Sequence, residues 1–380
     1  MKVIKFQTEE IVPVISMVDS VINTRTPIPV LRCLRVEAKT GENGTYIEFM
    51  GSDGEMWLRI NGQCSYADEG TVFCVQSYDF LQALSNINGE FVEMQVDEDN
   101  AIITCKYSTG DFRLPYESAA EYPMPVPKMI VKSSKKVDLK KLLTVIEKGG
   151  FCASSPVSGA EININGMHFE IGQTLSCTSC DYVKIARYTD NTVNTGEECC
   201  EFTIPKTAGT VLTKLLSAAP AGYVTVEKAD NNVSFGNSSF CLISRLNELH
   251  FPKMGAVIAQ HMGDKCVTID KTAFMTALKR CAPMSGKSSS VRLVFSNGNL
   301  NLSAKNIEMS KYTNENVQCN YGGEEFAITL NVGTLILFMK NIDTDEARIL
   351  LKTSQSPAFI KEAVDNSAYD YIMLTTPFKA

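Results

Sequence analysis

Apolar positions recur along this chain in helical and strand rhythms, and the pattern repeats. Segments 6–12, 137–143 and 269–275 each open an amphipathic helix. Aligned without gaps, Phe6 matches Val137 and Ile269, and Ile11 matches Leu142 and Phe274. Val12 then matches Leu143 and Met275, and Ile15 matches Ile146 and Leu278. Positions five, six and nine beyond the first fall on one face of a helix of 3.6 residues per turn. Thr8, Asp138 and Asp270 stand where N-caps belong, because a short polar side chain can accept a bond from an orphan backbone N–H there. Pro13 fits only if it lies in the first turn, where its missing donor costs nothing.

A second signal follows in each third. Phe73–Val75, Phe202–Ile204 and 328–330 are short apolar strands, each leading into another amphipathic helix. Ala83 matches Leu212 and Phe338, and Ile87 matches Leu216 and Ile342, at spacings of 129 and 126 residues. Two ordered helix signals therefore recur three times. Alternating strands fill the intervals: Val92, Met94 and Val96; Ile162, Ile164, Met167, Phe169 and Ile171; Val224 and Val226. Val291, Leu293 and Phe295 alternate up to Asn297-Gly298, and Leu300, Leu302 and Ala304 alternate after it, the pattern of a tight hairpin. Each third reads helix, strands, helix, strands. The expected fold is α+β, three tandem domains of two helices packed on antiparallel sheets. Polar or proline-rich stretches at 123–134 and 260–264 place the domains at 1–131, 132–264 and 265–380.

Charge changes the picture only when taken by thirds. The whole chain of 380 residues carries a net charge of −7, which argues against a uniformly basic nucleic-acid coat. Residues 1–131 hold 10 basic and 19 acidic groups, 132–264 hold 13 of each, and 265–380 hold 13 basic and 11 acidic. The helices of the second and third domains share a basic bias through Lys140, Lys141, Lys148, Lys206, Lys214, Lys271, Lys279, Arg280 and Lys340. The ordinary explanation is a solvated helix face; the recurrence in equivalent helices favours a phosphate-facing surface. No apolar run reaches the ~18 residues of a membrane span. The N-terminus turns acidic at Glu9 and Glu10 before an apolar core forms, so it does not read as a signal peptide. The thirteen cysteines then read as free thiols in the cytoplasm. Cys177 and Cys180 with Cys199 and Cys200 lack the double-knuckle spacing of a zinc ribbon, so no metal is expected. His168, His250 and His261 are too scattered for a catalytic or metal site. Gly286-Lys287-Ser288 lacks the upstream glycine of a phosphate loop, with Cys281 in its place, and follows a helix rather than a strand.

Local motifs, in order along the whole chain, resemble the bacterial DNA polymerase III beta subunits, the sliding clamps. They are Thr-Arg-Thr-Pro-Ile-Pro-Val-Leu at 24–31, Gly-Ser-Asp-Gly-Glu-Met at 51–56, Glu-Tyr-Pro at 121–123, Ile-Asn-Gly-Met-His-Phe at 164–169 and His-Phe-Pro at 250–252. The resemblance implies a non-catalytic processivity factor without cofactor, made of three DNA-clamp domains. It implies a head-to-tail homodimer closed into a ring around double-stranded DNA, read without sequence preference. A clamp loader, the replicative polymerase and other proteins carrying a clamp-binding motif would be its partners. Arg25 would contact DNA together with the basic helices. The peptide-docking pocket would comprise Ile164, Cys180, Tyr182, Val183, Lys184, Ile185, Pro252, Val257, Ile372, Met373, Leu374, Thr375 and Thr376. The family commonly reads Thr-Asp-Gly-His-Arg-Leu where this chain has Cys-Asp-Tyr-Val-Lys-Ile at 180–185. It commonly ends on a Met-Pro pair where this chain has Leu-Thr-Thr-Pro-Phe-Lys-Ala at 374–380. Dimer contacts would join Phe112 and Leu114 to the region of Ala282 and Pro283. The alternative is a three-repeat protein-binding scaffold that does not encircle DNA; it would need no lysines on equivalent helices.

Overall fold

The computed structural model describes residues 1–41, 44–87, 89–125, 130–154 and 164–378. Ile162 of the expected middle strand, and Pro127 and Lys128 of the expected linker, lie outside the described residues. The first third runs β1 (Lys2–Gln7), α1 (Thr8–Asp19), β2 (Cys33–Gly41), β3 (Gly44–Ser52), β4 (Met56–Gln63), β5 (Tyr66–Ala67), β6 (Val72–Gln76), α2 (Ser77–Ser85), β7 (Phe91–Asp97), β8 (Ile102–Tyr107) and β9 (Gly110–Glu117). The second runs β10 (Ser133–Asp138), α3 (Leu139–Gly150), β11 (Met167–Ile171), β12 (Leu175–Asp181), β13 (Lys184–Asp190), β14 (Cys200–Ile204), α4 (Lys206–Ala218), β15 (Tyr223–Lys228), β16 (Asn232–Gly236), β17 (Phe240–Arg245) and a short α5 (Met254–His261). The last runs β18 (Lys265–Asp270), α6 (Lys271–Cys281), β19 (Ser290–Ser296), β20 (Asn299–Asn306), β21 (Lys311–Asn320), β22 (Phe326–Asn331), α7 (Val332–Asn341), β23 (Glu346–Leu351), β24 (Ala358–Glu362) and β25 (Tyr369–Thr375).

The chain packs as two units, residues 1–139 with 210–246 and residues 140–209 with 247–380. Each is built on one continuous antiparallel sheet. The first has strand order β10-β15-β16-β17-β4-β3-β2-β6-β9-β8-β7-β1-β5, the second β14-β11-β12-β13-β25-β24-β23-β18-β21-β20-β19-β22. Within the first unit β17 pairs with β4, Ile243 opposite Trp57. Within the second β25 pairs with β13, Leu374 opposite Ile185. Both pairings join a strand from one third of the sequence to a strand from another.

The repeating columns are the core. Ile11, Leu142 and Phe274, and then Ile15, Ile146 and Leu278, are buried on α1, α3 and α6. Val12, Leu143 and Met275 are half-buried along the margin of that stripe. Phe6, Val137 and Ile269 are buried too, but on the strand that precedes each helix. In the second column Leu212 and Phe338 are buried, whereas Ala83 is half-buried and Leu84 takes the inward position. The hairpin at Asn297-Gly298 forms with Ser296 opposite Asn299, and all six alternating apolar residues beside it are buried.

Close approach between helix and sheet is met by glycine on either partner. A Cβ on Gly62 of β4 would lie 2.6 Å from Ile11 of α1, and one on Gly149 of α3 would lie 2.2 Å from the Cys177 carbonyl. The helix starts correct two expectations. Pro13 is the sixth residue of α1, beyond the first turn and exposed, and the helix persists because Ile11, Ile15 and Val18 are buried. Thr8 is the first helical residue rather than the cap; its hydroxyl donates to the Glu90 carbonyl at 3.2 Å. Asp138 immediately precedes α3. Asp270 does cap α6, accepting from the Ala273 N–H at 2.6 Å. Asp270→Ala should therefore lower unfolding stability by about 1 kcal/mol with an unchanged denaturant slope, measured by urea titration.

Candidate functional site

The basic helices divide into two kinds of lysine. Lys140, Lys214, Lys279 and Lys340 are exposed and make no ion pair among the described residues. Lys206 is exposed at the first residue of α4. Lys148 and Lys271 instead bind the end of α7. The Lys148 ammonium donates to the Asn341 carbonyl at 2.8 Å and to Asp343 at 2.6 Å. That of Lys271 donates to the Ile342 carbonyl at 2.6 Å. A helix C-terminus leaves carbonyls without intrahelical donors and carries partial negative charge, so two ammonium groups stabilise it. Lys141 donates to the Thr192 hydroxyl at 2.6 Å. Arg280 forks onto Glu315 at 2.9 and 2.6 Å, which holds the Glu315 carboxyl below its usual range. Arg25 is exposed at the turn after α1. The Arg32 guanidinium braces that turn by donating to the Thr26 carbonyl at 3.0 and 2.7 Å.

An apolar row crosses five strands of the second unit. Cys180 on β12 lies opposite Ile185 on β13, Ile185 opposite Leu374 on β25, Leu374 opposite Phe359 on β24, and Phe359 opposite Leu350 on β23. Helix α5 lays Met254 and Ile258, one turn apart, on this cluster, and Ile164, Phe251 and Leu350 pack at its margin. A Cβ on Gly255 would lie 2.8 Å from the Arg187 guanidinium, so glycine lets α5 lie down over it. Phe251 in turn stacks on His168 with ring centroids 4.6 Å apart. On segments that carry or adjoin the row, Tyr182, Val183, Leu249 and Val257 are exposed apolar side chains.

Of the residues expected there, Ile164, Cys180, Ile185, Ile372 and Leu374 meet in the cluster. Tyr182 and Val183 form the exposed tip of the β12–β13 hairpin, and Lys184 closes it by pairing with Asp181. Pro252 is half-buried just before α5. The Thr376 N–H donates to the Val183 carbonyl at 2.9 Å. Met373 and Thr375 do not reach the row. Successive strand residues face opposite ways, so these two, fully buried, lie on the other face of β25. Sequence reasoning missed Phe251, Met254, Ile258, Leu350 and Phe359. The i, i+4 pair in α5 was available as a signal; Leu350 and Phe359 enter only through strand register.

Besides the outermost strands of the two sheets, β9 and β21 each leave most of one edge open among the described residues. On the side away from β8, β9 is paired only at Tyr116 and Glu117, with β6. On the side away from β20, β21 is paired only at Cys319 and Asn320, with β18. Phe112 and Leu114 are half-buried on the first edge strand. Half-buried Ala282 and exposed Pro283 form a short 3-10 turn packed against β20 and β21.

Cys177 and Cys180 do not form a shared site. Cys177 and Cys180 are three residues apart on β12 and so point to opposite faces. Burial pushes the Cys180 thiol up to about 12. Among the described residues no cluster of His, Cys, Asp and Glu could hold a metal ion, and no helix is long and apolar enough to cross a membrane.

Comparison with known proteins agrees along the chain. Residues 1–126 match the DNA polymerase III beta subunit N-terminal domain, and residues 260–376 match its C-terminal domain. The beta sliding clamp of Pseudomonas putida is 24% identical over 367 residues, covering 96% of this chain and 97% of that one. That of Pseudomonas aeruginosa is 25% identical over 369 residues, with the same coverage. The crystal structure of the DNA polymerase III subunit beta from Pseudomonas aeruginosa superposes with a TM-score of 0.90 at 23% identity, over 100% of both chains. That of the beta subunit from Thermotoga maritima gives 0.88 at 19%, again over 100% of both. With both terminal domains matched and likeness of sequence and fold from end to end, the chain belongs to the DNA polymerase III beta subunit family, the beta sliding clamps, which are non-catalytic processivity factors of DNA replication.

Proposed function

We propose that two copies of this chain close head to tail into a ring of six domains around double-stranded DNA, with domains at 1–131, 132–264 and 265–380. The observation that carries this is the pair of edges left open at β9 and β21. Within one chain β4 takes β17 and β13 takes β25. The next strand in that series is β21, and its complement is β9 of a second copy. Edge strands with unpaired N–H and C=O groups are a liability unless paired, and a two-fold arrangement satisfies both at once. Phe112, Leu114, Ala282 and Pro283 would lie along that seam. Light scattering should give about twice the chain mass of 41.8 kDa. Loaded rings should stay on nicked circular plasmid and run off linear DNA; equal loss from both would sink the reading.

In this reading Arg25 and the exposed helix lysines face phosphate. Such contacts act by counterion release, fix no sequence and permit sliding. Retention is topological, so the acidic first third is tolerated. The lysines divide by their partners. Lys140, Lys214, Lys279 and Lys340 supply the field, and Lys148 and Lys271 hold α7. Replacing Lys140, Lys214, Lys279 or Lys340 by alanine should each reduce the salt slope of DNA binding by about 1. Lys148→Met should leave that slope unchanged and lower the thermal midpoint.

The apolar row is read as the dock for a short peptide from the polymerase, the clamp loader or another clamp-binding protein. Two relatives were crystallised bound to griselimycin, from Pseudomonas aeruginosa and Bartonella birtlesii, which supports a ligand site on this fold. The chain would work in the cytoplasm, where the replication machinery lies. Leu374→Glu should weaken peptide binding by about 100-fold and leave the dimer intact, because buried apolar anchors dominate such interfaces. Met373→Ala should lower stability by roughly 2–4 kcal/mol and leave peptide affinity unchanged. The reverse pattern in fluorescence-anisotropy titrations would show that the wrong face of β25 had been chosen.

A further inference from the structure

We propose that the apolar tip of the β20–β21 hairpin, Ile307 and Met309 with the adjoining Tyr312, seals against Pro115 and Arg113 of a second copy of this chain. The inference rests on the ring closure above and names the residues that hold its seam.

Ile307 is 79% exposed, and Met309 and Tyr312 are each 65% exposed. Three large apolar side chains within six residues of one hairpin are a patch that calls for a partner. The matching hairpins of the other two repeats show where the partner sits. The tip carbonyl of Glu55 accepts the N–H of Arg245 at 2.9 Å, and that of Val183 accepts the N–H of Thr376 at 2.9 Å. Each bond closes the end of a junction, β4 with β17 or β13 with β25.

The equivalent residues at the open junction follow by counting from fixed points. Cys74, Thr203 and Thr329 each stand three residues before a second helix, at Ser77, Lys206 and Val332. Cys74 is paired with Glu117; Thr203 and Thr329 accept the N–H groups of Asn247 and Phe378 at 2.9 Å. Counting back two residues places Pro115 with Arg245 and Thr376. Counting back four places Arg113 with Ile243 and Leu374. On the hairpin side, Gly51, Ser179 and Ala304 are the small residues on the helix-covered face of β3, β12 and β20. The residue after each is paired across its hairpin with Trp57, Ile185 and Tyr312 respectively. Tyr312 therefore faces Arg113, and Ser310 faces Pro115.

Backbone direction agrees with this register. The Tyr116 N–H donates to Ala101, on the β8 side, at 3.0 Å. Neighbouring residues alternate, so Arg113 and Pro115 turn their backbone toward the open edge. Pro115 has no N–H. The bond that closes the other two junctions cannot form at this one. An apolar ring stands there instead, opposite the one hairpin tip of the three that carries Ile and Met. Arg113 and Tyr312, both exposed in the single chain, then face each other as cation and aromatic ring.

The test uses the full chain. Sedimentation over a dilution series compares wild type with the double variant Ile307→Ser, Met309→Ser; the dimer dissociation constant should rise about tenfold or more, with the monomer's circular dichroism unchanged. Separately, Pro115→Cys combined with Ser310→Cys should give a disulfide-linked dimer under oxidised glutathione that neither single variant gives. A wild-type dimer whose dissociation constant is unmoved by the double variant, or the absence of the pair-specific cross-link, overturns the seam and leaves the ring reading standing. A wild type that is monomeric at every concentration overturns the ring itself.

Discussion

A long bare β-strand edge is a template for unwanted pairing, and this chain is organised around that constraint. Buried backbone N–H and C=O groups need partners, and pairing strand to strand supplies them. The chain answers by joining strands from different thirds of its sequence. Ile243 meets Trp57 in one sheet and Leu374 meets Ile185 in the other. The same solution places the apolar row. Leu374 belongs to the apolar cluster because β25 pairs with β13 in that register, and Cys180 and Phe359 are brought in by neighbouring pairings. Architecture and apolar row thus share one set of hydrogen bonds.

The helices add a second economy. Their inner faces carry the repeating apolar columns, and where they come closest to the sheet a side chain is deleted, as at Gly62 and Gly149. Their polar faces are not a uniform positive surface. Lys148 and Lys271 neutralise the end of α7 at distances of 2.6 to 2.8 Å. Arg280 is held by Glu315. A count of basic residues therefore overstates the field available to a polyanion, and the exposed lysines carry what remains.

Much of the fold was legible because its signals are local. The columns through Ile11, Leu142 and Phe274 lie within single helices, and the Asn297-Gly298 hairpin is written in adjacent residues. Asp270 shows its cap in four residues of sequence. The misreadings have a common cause. Pro13 and Thr8 depend on tertiary burial and on a bond to Glu90, far away in the chain. Met373 looks like a docking residue until the alternation of β25 is placed against β13. Leu350 and Phe359 join the row only through pairings that no local pattern encodes. The residues that the family resemblance singles out lie around the apolar row, and the strand register decides which of them belong to it.

The interleaving of the two packed units has a consequence for how the protein is made. The first unit needs residues 210–246, so its sheet cannot be completed until the ribosome has passed the whole of α3 and β11 to β14. Those segments belong mostly to the second unit, whose strand β25 is the last element of the chain. During synthesis the β4 edge must therefore wait, unpaired, for about 180 residues of further translation before β17 arrives. Nascent chains of this protein would be natural clients for chaperones that shield strand edges, and slowed translation between residues 63 and 240 would prolong that exposure rather than help folding.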